Sequence, residues 1–477
     1  MELKNFKIEK KSWVETSGST YTIVRNANGK KFLAVAGNTS GFDGTAQEGE
    51  FLICPLTPAN AATLRLRLPW LNPVPLGLKT TAGFGDRLGL ATPGHIWAIR
   101  NYPTIAPIFA QQSVRENTRT GRTPQQVMDD ALWGVFGEGW REPWGADADH
   151  LKIPEVVDDF VAAGYTFFTV DPGDHVDNDA HTAPVAEIET KVQALPWDKL
   201  HDTAAAIEQR YLSQPFDLGD ITITFNLITL RRAAAKYGQA IAHAAQMYHY
   251  LAGKMQGKKF DFEVSVDETE TPTSPEEHYF IAAELRRLGV QWVSLAPRFI
   301  GKFEKGVDYI GDLDALEIEL EKHAAITRAL GPYKLSIHSG SDKFSVYPVI
   351  ARLTDGLVHL KTAGTSYLEA LRTVALANPA LFRQILDFSR ERYETDRATY
   401  HVSGQLAKVP AADSLSDADL PNLLNQFDAR QVLHVTFGSV LDQFGGQLAT
   451  VLENNQETYG KLLEAHFKRH LIPFVER

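Results

Sequence analysis

Two aspartates and a histidine stand among small residues in WGADADHLK (residues 144–152), just ahead of the amphipathic run IPEVVDDFVAAG. Asp147 or Asp149 could cap a helix there, because a carboxylate accepts the N–H groups that a helix start leaves unpaired. The same cluster could hold a metal ion and move protons. His338 ends the apolar run YKLSIH. With His150 and one carboxylate it would make a two-histidine, one-carboxylate site that keeps open coordination positions. Glu304 and Asp308, in FEKGVD, are the candidate carboxylates, with Glu304 preferred. His175 in PGDHVD is a spare ligand, whereas His323, mid-helix in IELEKHAAI, reads as packing or surface. Asp267 and Glu268 open DETETPT. Asp267 would hold the turn, and Glu268, paired across the site with Asp149, would transfer protons on either side of a substrate. Arg298, Lys302, Lys343 and Lys361 follow or end strand-like runs, and several meeting in one mouth would hold a carboxylate.

These residues are useful only if the chain brings them to one place. The first 75 residues read as β-rich, as in YTIVRNANGKKFLAVAG, where Asn28-Gly29 supplies a hairpin turn. Beyond a proline-marked junction, strand, polar loop and helix alternate. The expected strands are PLGLKT, IAPIFA, YTFFTV, FDFEVSV, VQWVSLA, YKLSIH, LVHLKT and ATYHVS. Most are short, continuous apolar runs, as parallel strands buried on both faces should be. Thr123-Pro124, Ser274-Pro275 with Glu277, and Asn378-Pro379 carry helix-start signals. The pattern predicts an α/β fold, a (β/α)8 TIM-type barrel over residues 76–405. A β-rich extension (1–75) precedes it, and a C-terminal helical region (406–477) packs on it. A doubly wound open sheet is the competing arrangement. ITITF and VLHVTF are assigned to an insertion and to the helical region. Acids, amides and histidines follow nearly every strand, so they should gather at the C-terminal ends of the strands, where such folds carry active sites.

Composition narrows the function classes. The chain has 477 residues and a net charge of −11, which disfavours a nucleic-acid partner. One cysteine, Cys54, excludes an internal disulfide and a cysteine-based zinc site, and is expected to pack in the N-terminal region. No stretch reads as a membrane span or leader, so a cytoplasmic location and no membrane partner are expected. TAGFGDRLG fails as a dinucleotide loop, since Leu88 stands where the third glycine is needed, and no Walker A sequence occurs. Bound NAD or ATP is therefore not expected.

Long segments resemble the tagaturonate epimerase family: GFGDRLGLATPGH, FAQQSVRE, GRTPQQVMDDALWGVFGEG, GADADHLK, DPGDHVD, VDETETPT, LAPRFIGKFEKGVDY, LSIHSGSDKFS and KTAGTSYLEALR. The resemblance implies a divalent-metal-dependent isomerase that interconverts tagaturonate and fructuronate, with related activity on tagatose and fructose. It places proton transfer on Asp149 and Glu268, and one divalent ion (zinc, manganese, nickel or cobalt) on His150, Glu304 and His338. The expected substrate-binding side chains are Gln112, Arg298, Lys302, Asp342 and Lys361. The partner is a small keto-sugar or keto-sugar acid, and homo-oligomerisation is left open. Because the inverted carbinol hydrogen is alpha neither to the ketone nor to the carboxylate, enolisation cannot invert that centre. Retro-aldol cleavage and re-addition is the expected route. Two alternatives stand beside it: a Schiff-base aldolase using Lys361, and a non-catalytic sugar-acid sensor.

Overall fold

Eight parallel strands close into a barrel in the computed structural model, which describes residues 3–475. In chain order they are β1 (Thr81–Gly85), β2 (Ala106–Ser113), β3 (Gly145–Leu151), β4 (Phe167–Val170), β5 (Asp261–Ser265), β6 (Ser294–Ala296), β7 (Lys334–Ile337) and β8 (Val358–Lys361). Each pairs with its sequence neighbour, and β8 closes on β1 through His359↔Thr81 and Lys361↔Gly83. The open-sheet alternative is thereby excluded.

Six of the expected runs are barrel strands, and two are not. PLGLKT is irregular, and the first strand is the adjacent TAGFG; ATYHVS passes through a short 3-10 turn (Arg397–Thr399) and does not pair. The strand that replaces it is GADADHL. Its alternation explains why it reads as a loop: Ala146 and Ala148 occupy one face, while Asp147 and Asp149 point into the barrel. An apolar-run criterion cannot find a strand whose inward face is acidic. The register of β3 against β4 slips between Ala148↔Phe168 and Leu151↔Val170, and His150 takes φ +54° at that bulge. A bulge re-aims side chains, and here it turns both Asp149 and the following His150 towards the mouth.

Helix starts match their local signals. Thr123 and Ser274 form capping boxes with Gln126 and Glu277 at the heads of α1 (Pro124–Gly137) and of a later helix, Pro275–Arg287. Each such cap contributes about 1 kcal/mol. By contrast, α2 (Pro154–Ala163) begins at Ile153 with no side-chain cap, so neither Asp147 nor Asp149 serves that purpose. A 29-residue helix, α3 (Leu227–Met255), runs from the insertion along the barrel wall before α4 (Pro275–Arg287).

The N-terminal segment is a six-stranded antiparallel sheet. Its central hairpin, Ser19–Arg25 with Lys31–Ala36, turns through Gly29 at φ +79°. Cys54 is buried at the end of the strand Phe51–Cys54, and burial pushes its thiol up to about 11. The C-terminal segment is helical: α5 (Pro379–Asp396), α6 (Phe427–Val435), α7 (Phe437–Asn454) and α8 (Gln456–Leu471). VLHVTF lies in α6 and at the head of α7. Among the described residues no helix is long and apolar enough to cross a membrane.

Candidate active site

The barrel interior is polar towards the C-terminal ends of its strands, and Lys361 organises it. Lys361 Nζ lies 2.6 Å from Asp149 Oδ1, and 3.0 Å from both Asp147 Oδ2 and Glu263 Oε1. It also donates to Thr169 Oγ1 at 2.6 Å. Burial lowers the pKa of this ammonium, but the three carboxylates outweigh burial and hold it well above the ordinary lysine range. Burial likewise opposes ionisation of Glu263 and Asp149. Lys361 and His338 keep Glu263 well below the carboxylate range, and His150 and Lys361 do the same for Asp149. Gly83 of β1 makes room beside this cluster, since a Cβ there would come within 2.8 Å of Gln111 Oε1.

The two histidines stand above this base. His338 Nε2 is 2.6 Å from Glu263 Oε1, and its Nδ1 is 3.1 Å from Asp267 Oδ1. Burial and the Lys361 charge depress its pKa, yet Asp267 and Glu263 raise it to about 9. His150 Nδ1 faces Asp171 Oδ2 at 3.2 Å, leaving Nε2 directed to Asp149 Oδ1 at 3.8 Å. Its pKa rises to about 10, because Asp149 and Glu268 outweigh burial. The two rings meet edge to face at 5.1 Å. Ligand atoms of Asp149, His150 and His338 all lie within 4.8 Å of one another. His150, Asp171 and Glu268 form an adjoining group on the same criterion. Glu268 is partly exposed and paired with Arg115 at 3.0 Å; against burial, His150 and Arg115 bring its pKa down to about 2. A cavity of about 120 Å³ opens over this cluster, lined by Arg115, Glu268, Arg298, Lys305, His338 and Tyr400 among others.

The structure thus gathers Asp149, His150, Glu268, His338 and Lys361, with Arg298 at the cavity wall. Five other candidates lie elsewhere. Glu304 is not a partner of the histidines: its carboxylate accepts from Ser403 N at 2.9 Å, Ser403 Oγ at 2.7 Å and Gln431 Nε2 at 2.9 Å. Asp308, the other candidate, is exposed and accepts from Ser345. Among the described residues the carboxylate that groups with both histidines is Asp149. Gln112 turns away from the interior to Thr120, whereas its neighbour Gln111 reaches Asp149 at 3.5 Å. Strand alternation separates the two, and the sequence pair QQ does not say which points inward. Lys302 is largely exposed, 4.0 Å from Glu304. Asp342, at φ +64°, is buried with Arg430 and His466, each at 2.8 Å, and does not line the cavity. Burial is outweighed there by Arg430 and His466, which hold its carboxyl far below the usual range.

Of the remaining residues, His175 is exposed and stacks on His243 at 4.1 Å, and His323 is buried against His278 and Phe299. Lys343 is buried, donating to the carbonyls of Glu304, Val307 and Ser341. The sequence reading missed Glu263, Thr169, Asp171, Gln111, Arg115 and Lys305. Glu263 did carry a signal, a lone acid inside the apolar run FDFEVSV, since a charge within a buried strand needs a partner.

Lys361 also decides one alternative. A Schiff-base nucleophile must lose its proton, and three carboxylates keep this one protonated. The aldolase reading therefore has no support in the geometry.

Known proteins resemble the chain over nearly its whole length. A tagaturonate epimerase family profile matches residues 9–473. The tagaturonate/fructuronate epimerase of Thermotoga maritima is 44% identical over 476 residues, covering 98% of this chain and 97% of that protein. Crystal structures of the fructuronate-tagaturonate epimerase of Cohnella laeviribosi, native and in complex with one glycerol, superpose with a TM-score of 0.93 at 38% identity. They cover 98–99% of this chain and 96–97% of that one. On the profile, the identity and the shared barrel together, the chain belongs to the tagaturonate epimerase family of isomerases.

Proposed function

We propose that this chain interconverts tagaturonate and fructuronate by inverting the C4 carbinol of the ketose, through cleavage and re-formation of the C3–C4 bond. The observation that carries the reading is the meeting of Asp149, His150 and His338 at the strand ends, beneath a cavity with Arg115, Arg298 and Lys305 in its wall. Cations there suit a sugar acid even though the protein is acidic overall. Fructose and tagatose share the C2–C4 portion, and the same chemistry would interconvert them.

Asp149, His150 and His338 are the residues that would hold a divalent ion. The donor set fits in kind, two imidazoles and a carboxylate with ligand atoms within 4.8 Å of one another. Bonds of about 2.0–2.2 Å span at most about 4.4 Å, so the side chains would close in slightly and both imidazoles would release a proton on binding. Asp171 holds His150 by Nδ1 and leaves Nε2 for a ligand, the usual outer-shell arrangement. When bound, such an ion supplies positive charge against the negative charge that collects on the substrate's oxygens.

The chain's own groups account for the proton movements. Asp149 and Glu268 both stand as carboxylates. Asp149 has two oxygens, so one can join the donor set while the other accepts a proton. One carboxylate takes the C4 hydroxyl proton, the C3–C4 electron pair passes to the C2 carbonyl, and C4 becomes an aldehyde carbon. The aldehyde rotates, C3 attacks its other face, and the new C4 oxygen takes its proton from the opposite side chain, which has first drawn one from solvent. The carboxyl that took the original hydroxyl proton returns it to solvent, so each turnover ends with both groups as carboxylates. Lys361 stays protonated throughout and fixes the Asp149 oxygen it touches.

The test is conversion of fructuronate deuterated at C4, followed by nuclear magnetic resonance. Tagaturonate should form with its deuterium retained, and a chelator should stop the reaction. Release of the label to solvent would reject bond cleavage, and absence of either epimer would reject the substrate.

A further inference from the structure

Between β6 and β7 the chain passes through FEKGV (residues 303–307) without regular structure. Its peptides are nevertheless fixed one after another. Lys343 Nζ donates to Glu304 O at 2.8 Å and to Val307 O at 2.6 Å. Gln431 Nε2 reaches Lys305 O at 3.4 Å, and Arg430 Nε donates to Gly306 O at 2.6 Å. Four consecutive carbonyls are thereby occupied, two of them by side chains of α6. The Glu304 carboxylate adds its own bonds to Ser403 and Gln431. A loop held at every peptide presents its remaining side chain with little further ordering cost on binding.

That side chain is Lys305. It is half-buried and lines the cavity. Among the described residues its ammonium makes no direct hydrogen bond or ion pair, and the carboxylates that feel its charge, Glu116 and Glu268, do so only at longer range. The neighbouring cations are committed: Arg115 to Glu268 at 3.0 Å, and Arg298 to the Asp267 carbonyl at 3.1 Å, where it steadies the turn. A partly desolvated cation whose carboxylate neighbours are not in direct contact, and are themselves paired with Arg87 and Arg115, gains from an anion that reaches it directly.

We propose that Lys305 is the specificity-determining residue that receives the substrate's carboxylate. The assignment rests on the hexuronate reading above. In it, α6 positions the cation through Arg430 and Gln431, and Arg298 shapes the wall that substrates share. A lysine suits the task, because its ammonium is a compact charge that can follow a carboxylate through rotation of the bound fragment.

The experiment compares full-length, metal-loaded wild type with Lys305→Met, which keeps the chain length without the charge, and with Lys305→Arg, which restores the charge. Binding of fructuronate and of fructose is measured by calorimetry, and turnover is measured separately. Fructuronate affinity should fall about 10- to 100-fold in the methionine variant, the loss expected for one charged hydrogen bond. It should recover for the most part in the arginine variant, with fructose binding unchanged in both. A methionine variant that binds fructuronate as the wild type does, or that loses both sugars alike, would overturn the assignment. Wild type that binds fructuronate without converting it would defeat the proposed function instead, and the binding comparison would still judge Lys305.

Discussion

Replacing Lys361 by methionine removes one positive charge from among three buried carboxylates while nearly conserving volume. The substitution breaks ion pairs of 2.6–3.0 Å to Asp147, Asp149 and Glu263, all fully or almost fully buried. Removing one partner of a buried ion pair costs about 3–5 kcal/mol, because the remaining charge stays desolvated. An unfolding entropy of about 2.1 cal/mol/K per residue, over 477 residues, makes each kcal/mol worth about 1 °C. Tm should therefore drop by about 3–5 °C near pH 8. The pH dependence carries the sign. In wild type, Asp149 and Glu263 have depressed folded pKa values, so their stabilisation is present above the unfolded value near 4 and is lost only in strong acid. In the variant both folded values rise, that of Glu263 most, because Lys361 is its chief partner while His150 still holds Asp149 down. The deficit is then full near pH 8, below the unfolded lysine value at which wild type starts to lose the Lys361 contribution, and shrinks on acidification as Glu263 takes up a proton. Calorimetric melts of both proteins across this range, with a chelator present, measure it. A variant that melts with wild type near pH 8, or whose deficit grows on acidification, would refute the reasoning. Covalent trapping of substrate on Lys361 by borohydride would do the same.

Other substitutions probe the mouth. His150→Ala and His338→Ala should each lose bound divalent metal and activity together in a folded protein, read by elemental analysis and circular dichroism; full metal occupancy in both would remove them from the donor set. Asp149→Asn and Glu268→Gln should bind substrate yet lose turnover by about 10²- to 10⁴-fold, the usual worth of a positioned acid or base. Glu268→Gln should leave Tm nearly unchanged, because its ion pair with Arg115 is partly exposed. Near-normal turnover in either variant would return that carboxylate to a structural role.

The barrel was legible where local rules decide. Thr123 and Ser274 announce their helices because a cap and its partner lie three residues apart. The apolar runs of β4, β5 and β7 announce strands because both faces are buried. β3 was hidden because its inward face carries the acids of the candidate site, Asp147 and Asp149, which erase the apolar pattern that marks a strand. Asp149, His150 and His338 were legible by type and position. The carboxylate partner was not, because FEKG looks alike whether Glu304 faces a metal or a helix that lies 127 residues further on. Asp342 failed for the same reason, its partners Arg430 and His466 being far along the chain. Gln111 and Gln112 differ only in parity, which the bulged register of β2 sets.

The clamp that α6 places on residues 304–306 has a consequence for biosynthesis. All eight barrel strands have left the ribosome once Lys361 has emerged, so the cylinder can close while α6 is still unmade. At that moment the floor around Lys361 can be complete, but the loop bearing Lys305 has neither Arg430 nor Gln431 to hold its carbonyls. A nascent chain halted between these points would own a barrel without a finished mouth. With Lys305 in its proposed role, the order of translation delays substrate capture until α6 docks, so ligand binding would report a chain made at least through α6 rather than a merely closed barrel.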